Sequence, residues 1–256
     1  MMLVAMALSA QEENFLGHLS LSLGVGTTGI TVDAGSMVND RIALRAGVDV
    51  MPKIKYNTHL DMTIVNQTES TELSSIPWNV AVQGRLQNST VHALLDYHPI
   101  EGSDFRVTMG AYIAAHNKIV TVANRDEAVL LLVSDFNARR GEFADYPDSY
   151  GQIAARMGEY SIMPDDEGNA NAYIIVNRVR PYLGVGYGRS VPRRKSVNCQ
   201  VDLGVQYIGN AHVFNGVNGQ ELTAEGARGE DGGWLRNISR IHVYPVLSFR
   251  IAGKLF

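Results

Sequence analysis

Alternation of apolar and polar residues with a period of two is the feature that most constrains the fold of this chain. In residues 197–208 the apolar face is Val197, Cys199, Val201, Leu203, Val205 and Tyr207, and the other face is Asn198, Gln200, Asp202, Gly204 and Gln206. Successive side chains of a β-strand point to opposite faces, so this pattern predicts a strand. Similar alternation predicts eight strands, at 17–26, 29–38, 41–51, 91–98, 105–115, 179–189, 197–208 and 241–256. Residues 127–136 and 152–160 favour short helices instead.

The connections between these strands alternate between short and long. Tight turns at 39–40, 99–104 and 190–196 alternate with long connections at 52–90, 116–178 and 209–240, and 27–28 is a further short link. In an up-and-down arrangement, all three tight turns lie at one end. Transmembrane barrels show this asymmetry, whereas compact soluble domains rarely contain such long loops. The sequence therefore predicts an all-β fold, an eight-stranded antiparallel up-and-down transmembrane β-barrel with long extracellular loops.

The polar faces of the predicted strands carry charges of both signs and almost no Lys or Glu. Isolated charges in a narrow interior would be costly, so Arg together with Asp predicts side chains that pair across a lumen. The residues expected to line it, as solute contacts or as an ion-pair network, are Asp33, Arg41, Arg45, Asp49, Asp96, Arg106, Tyr112, Arg180, Asp202 and Arg250. A soluble lipocalin-like barrel, with the apolar face inward, is the alternative.

The two ends of the chain carry expectations of their own. Residues 1–10, "MMLVAMALSA", are typical of the last part of a secretory signal, with an ordinary strand or helix as the alternative. Residues 11–256 are then expected to form a single barrel domain. The final Phe256 is the kind of terminal aromatic that the outer-membrane barrel assembly machinery recognises. Lipid and lipopolysaccharide of the outer membrane are the other expected partners.

Several stretches resemble one family in the same order along the chain. They are "GVGTTGITVDAG" (24–35), "LRAG" (44–47), "ALLDYHPIEGSDFRVTMGAYI" (93–113), "RPYLGVGYG" (180–188), "QVDLGVQYIG" (200–209) and "VYPVLSFRI" (243–251). Together they resemble the CarO-type outer-membrane proteins, a family associated with ornithine uptake. The resemblance covers the predicted strands, about half of the chain, and leaves the long connections unmatched. It implies an eight-stranded barrel in the outer membrane of a Gram-negative bacterium.

Other motifs are weak. "GVGTTG" (24–29) matches a dinucleotide-binding pattern, but a strand pattern follows it where that site needs a helix. "PDDEGNAN" (164–171) lacks the spacing of a calcium loop, and the histidines fall on different strands. No nucleophile motif is present, and the single Cys199 excludes an intramolecular disulfide. Because these motifs are weak, we expect no catalytic residues, cofactor or metal. With a net charge of −4 and no basic patch, we also expect no nucleic-acid partner.

The predicted function is a channel or binding surface for small polar solutes such as amino acids. The mixed Arg and Asp lumen motivates this prediction, although side chains can simply fill a barrel of eight strands. The alternative is a non-transporting surface barrel, adhesive or envelope-structural, that acts through its long loops.

Overall fold

The computed structural model describes residues 19–65, 79–124, 126–142, 151–157, 160–192, 196–222, 237 and 240–255. The expectations for residues 1–10 and for Phe256 lie outside the described residues. In chain order the strands are β1 Leu19–Gly26, β2 Gly29–Met37, β3 Ile42–Val50, β4 Ile54–Val65, β5 Asn79–Leu86, β6 Thr90–Tyr97, β7 Phe105–Ala114, β8 Lys118–Asn124, β9 Gln152–Met157, β10 Tyr160–Ile162, β11 Asn171–Ile175, β12 Val179–Tyr187, β13 Val197–Tyr207, β14 His212–Asn215, β15 Glu221–Leu222 and β16 Val243–Lys254. One helix, α1, spans Glu127–Glu142.

Eight of these strands close into an antiparallel barrel. Its order is β1, β2, β3, β6, β7, β12, β13 and β16, and β16 pairs with β1 to complete the circle. The eight strands coincide with the eight predicted from alternation, and the all-β barrel is confirmed. The first hairpin turns at Thr27 and Thr28, where Gly26 opposes Gly29 and Gly29 has a φ of 101°. The "GVGTTG" stretch is therefore the hairpin between β1 and β2. Gly29 suits the start of β2, because glycine adopts a positive φ readily.

The two faces of the barrel wall differ sharply in chemistry. Apolar side chains point outward with large exposed fractions, for example 62% for Leu23, 58% for Leu203 and 53% for Leu247. Cys199 also lies on this outer face. The inward positions of the same strands are polar and buried, as in β13, where Gln200, Asp202 and Gln206 are at most 2% exposed. The wall is thus apolar outside and polar inside.

The long connections form a second sheet, which the sequence pattern does not predict. Its strand order is β10, β9, β4, β5, β8, β11, β14 and β15, so all three long connections contribute to it. A core of its own packs between this sheet and α1, with Val80, Val133, Ile153 and Ile162 at its most buried positions. The described parts of the connections therefore form regular elements on the end of the barrel opposite the tight turns.

Helix α1 begins where the sequence predicts, and it extends beyond residue 136. Asp126 caps it, since the Ala128 amide donates to Asp126 Oδ1 at 3.1 Å. Of the described helices, none is both long and apolar enough to cross a bilayer. The helix predicted at 152–160 is wrong: these residues contain β9, which pairs with β4, and the start of β10. Ile153, Ala154 and Ala155 are all buried, so the alternation that marks a strand is lost.

Candidate functional site

Nine of the ten residues expected to line the lumen lie buried in the barrel interior. Their exposed fractions do not exceed 5%: Asp33, Arg45, Asp49, Asp96, Arg106, Tyr112, Arg180, Asp202 and Arg250. Arg41 lies elsewhere. It precedes β3 in an exposed turn, where it pairs with Glu101, and this hydrogen bond raises the pKa of Arg41. The strand begins one residue later than the sequence pattern predicts, which leaves Arg41 outside the interior.

Three arginines (Arg45, Arg106 and Arg250) and three aspartates (Asp33, Asp96 and Asp202) form an ion-pair network across the middle of the barrel. Arg45 Nη2 lies 3.0 Å from Asp96 Oδ1 and 3.7 Å from Asp202 Oδ1. Arg106 Nη2 lies 2.6 Å from Asp202 Oδ1, and Arg250 also donates to Asp202. Arg45 is on β3 and Asp202 is on β13, four strands away in a circle of eight. The network therefore spans the full width of the barrel.

Hydroxyl groups complete the coordination of two of these carboxylates. Asp96 accepts from Thr108 Oγ1 at 2.7 Å and from the Ser190 hydroxyl. Asp33 accepts from the Ser22 hydroxyl and from Arg250 Nη1 at 2.9 Å. Buried carboxylates are stable only when cations and hydrogen bonds compensate for lost hydration, and both conditions are met here.

A second carboxylate cluster surrounds Asp49. Its oxygens accept from Thr28 at 3.1 Å, from Thr31 at 2.6 Å and from Thr90 at 2.9 Å. His92 Nδ1 lies 2.7 Å from Asp49 Oδ2, and His92 Nε2 lies 3.7 Å from Asp33 Oδ2. His92 therefore links the Asp49 cluster to the central network through Asp33.

Interior glycines create the space for these large side chains. A Cβ on Gly47 would overlap Asp33, and one on Gly24 would overlap Arg250. Tyr182 lies over Gly184 and Gly204 in the same way. The Tyr182 ring meets Tyr112 at 5.3 Å between centroids, and Leu94 and Val246 join them in a small apolar cluster. The interior is thus filled by close contact between side chains and bare backbone.

Arg180 stands apart from the central network. Its guanidinium donates to the Asn177 carbonyl at 2.8 Å and to Asn88 Oδ1 at 2.5 Å. Among the described residues it forms no ion pair with a carboxylate. On β12, Arg180 is six residues away from Gly186, and Gly186 opposes Asp202 of the network. Tyr182 lies between them. These six residues of strand correspond to about 20 Å, beyond the reach of one arginine side chain.

Many interior polar atoms lack a hydrogen-bond partner among the residues that the structure describes. They include nitrogens of Arg45, Asn88, His92, Arg106, Arg180 and Arg250 and both amide atoms of Gln200 and Gln206. An unpartnered buried polar atom costs about 1–3 kcal/mol. These atoms are therefore suited to binding water or a polar solute.

The sequence pattern identifies the charged members of the interior but misses several partners. Of the uncharged interior residues, Ser22, Gln200 and Gln206 do lie on the polar faces that alternation predicts. Asn88 and Ser190 lie outside the strands, where no periodic signal exists. His98, at the tight-turn end, is buried too, and burial together with Arg189 lowers its pKa. No cluster of histidine, cysteine, aspartate or glutamate suited to a metal ion occurs in the described part of the chain.

Comparisons with known proteins bear on the fold of the chain. No family model matches the sequence, and no curated protein matches it. The crystal structure of Acinetobacter baumannii CarO is similar over 94% of this chain and 100% of that chain, with 14% identity and a TM-score of 0.51. CarO2 from the same organism has 13% identity and a TM-score of 0.47 over 93% of this chain and 98% of its own. The first of these similarities, together with the closed eight-stranded barrel, shows that the chain has a CarO-type fold.

Proposed function

We propose that the protein is an outer-membrane barrel of a Gram-negative bacterium and that its charged interior admits or binds small polar solutes such as amino acids. The apolar outer face supports the membrane location, because side chains such as Leu23 and Leu203 would otherwise face water. A closed barrel has no unpaired strand edge, which is the condition for a sheet to span lipid. Lipid and lipopolysaccharide would then surround the wall.

The two-signed interior is the observation that carries the solute proposal. Inside the barrel, Arg45 pairs with Asp96, Arg106 with Asp202, and Arg250 with Asp33. A zwitterion presents one group of each sign, so it can exchange partners with such pairs without leaving a charge uncompensated. The unpartnered nitrogens of Arg45 and Arg250 offer additional donors.

The same network determines how such a route would behave. Because Arg45 and Asp202 meet across the full width of the barrel, a solute passes only where ion pairs separate. We expect a small conductance and slow flux, in contrast to a wide water-filled pore.

Planar-bilayer recording tests this proposal. The purified protein should give small conductance steps, and Asp202→Asn should alter their size, because it releases Arg106 and Arg250 from their shared carboxylate. Asp104→Asn is the matched control, since Asp104 pairs with Arg189 in a turn and its side chain is 42% exposed. Absence of steps above the bare bilayer would rule out a conducting route.

Membrane location has a separate test. The protein should partition with the outer-membrane fraction and show a heat-modifiable shift on a gel. Recovery in soluble form without detergent would contradict it.

The second sheet favours one other candidate function, a surface barrel that binds through its connections. These connections are folded around a core of their own, as a binding platform requires. Deleting 125–170 separates the two functions. A channel should change its solute flux, whereas a surface-binding barrel should lose adhesion to host or matrix with flux unchanged.

A further inference from the structure

Arg180 is buried without a paired carboxylate among the described residues, at the barrel end that meets the second sheet. Arg180 has no exposed surface, and the other three buried arginines each contact aspartate. A buried cation without a counter-ion is destabilising, because nothing compensates for its lost hydration. A buried guanidinium held only by neutral oxygens is therefore suited to an anion.

The groups around Arg180 have free hydrogen-bonding capacity. Among the described residues, Arg180 Nη2 and Asn88 Nδ2 have no geometrically well-formed hydrogen bond, and they lie on neighbouring groups because Arg180 Nη1 donates to Asn88 Oδ1. The Tyr244 hydroxyl is close to both side chains. Gln206 is the third member. Gln206 lies on β13, where it opposes Tyr182 of β12. Because Tyr182 is two residues from Arg180, Gln206 is a diagonal neighbour of Arg180. The amide nitrogen and oxygen of Gln206 are also buried and have no partner among the described residues.

We infer that Arg180, Asn88 and Gln206 form a binding site for the carboxylate group of a small solute. A guanidinium edge and an amide nitrogen supply parallel N–H donors, which match the two oxygens of a carboxylate. The Gln206 oxygen adds an acceptor beside them that suits an ammonium group on the same ligand. This inference rests on the proposed function and deepens it, because it names carboxylate-bearing solutes as the class recognised.

Isothermal titration calorimetry of the detergent-folded full chain with sodium acetate tests the site. Acetamide has the same shape without the charge and should give no binding. Arg180→Met should weaken acetate binding by at least about tenfold, equivalent to one charged hydrogen bond. Arg178→Met is the matched control: Arg178 is two residues away and exposed, and its loss should leave acetate affinity within about twofold.

Gln206→Leu provides the test if Arg180→Met fails to fold, and it should weaken acetate binding several-fold. Equal affinity for acetate and acetamide, no acetate binding by the wild-type chain, or unchanged affinity in the folded variants would overturn the site. Titration measures binding and bilayer recording measures passage, so the two proposals fail separately. Acetate binding without conductance would contradict only the conducting route. Conductance without acetate binding would contradict only this carboxylate site.

Discussion

Asp96 is one of the buried carboxylates that hold the interior network together. It contacts Arg45, Arg106, Thr108 and Ser190. Asp96→Asn keeps the size of the side chain but leaves two buried guanidinium groups short of negative charge. We expect it to lower the free energy of unfolding by roughly 3–5 kcal/mol, measured by urea titration of the detergent-folded protein.

Glu101→Gln is the control for Asp96. Glu101 pairs with Arg41 in a turn, and its side chain is 82% exposed. Solvent screens this pair, so its loss should leave the free energy of unfolding nearly unchanged. Similar losses in the two variants would mean that the interior network contributes no special stability.

Gly47 tests whether the interior is closely packed. A Cβ at this position would overlap Asp33 and the Val32 backbone, so Gly47→Ala should destabilise the barrel by about 1–3 kcal/mol. Gly253→Ala should be tolerated, because its Cβ would lie 4.0 Å from the nearest such atom, the Leu21 carbonyl oxygen. Heat-modifiability on a gel as a function of temperature compares the two, and equal behaviour would contradict the packing argument.

Single residues show where prediction from sequence stops. A period of two assigns Asp202 and Arg250 to the polar face, because each face of the wall meets a different environment. It does not determine which pairs form, since contacts across a barrel depend on strand order and stagger. Arg41 misses the interior by one residue at the start of β3. Asn88 bonds Arg180 from a connection in which no alternation exists.

The elements differ in how clearly their sequences mark them. Each barrel strand has one apolar and one polar face, and all eight are predictable for that reason. In the second sheet, Ile153 and Ala154 are adjacent and neither is exposed, so β9 lacks alternation and suggests a helix instead. Helix α1 carries a cap at Asp126 and an acidic first turn, and its start is predictable.

Helix α1 also offers a test of whether the second sheet folds separately from the barrel. Val133 is 1% exposed and packs in the core of the second sheet, whereas Leu131 is 71% exposed. Val133→Asp buries an unpaired charge there. We expect limited proteolysis to cut the connections of this variant rapidly while the barrel keeps its heat-modifiable shift.

Leu131→Asp is the control for Val133→Asp and should resist proteolysis like the wild-type chain. Loss of the heat-modifiable shift in Val133→Asp would mean that the barrel depends on the second sheet for its stability. Equal protease sensitivity of the two variants would contradict the packing of α1 on that sheet.

For the whole molecule, the main feature is the contrast between an apolar outer wall and a charged interior. The wall explains how such a chain can lie in a membrane, and the network that joins β3 to β13 explains why passage would be slow. The apolar wall and the polar interior follow from alternation along eight strands, whereas the pairs within the interior follow from strand order and stagger. The second sheet over one end is the part that only the folded structure reveals, because β9 lacks alternation and β10, β14 and β15 are short.

Liposome swelling tests the central claim most directly. Proteoliposomes placed in isotonic glycine should swell faster than empty liposomes, because a small zwitterion can exchange partners with the Arg and Asp pairs. Sucrose, a neutral solute too large for an eight-stranded interior, should give the rate of empty liposomes. Swelling in glycine no faster than in empty liposomes, with the protein shown to be inserted and folded, would contradict the proposal that the charged interior admits small polar solutes.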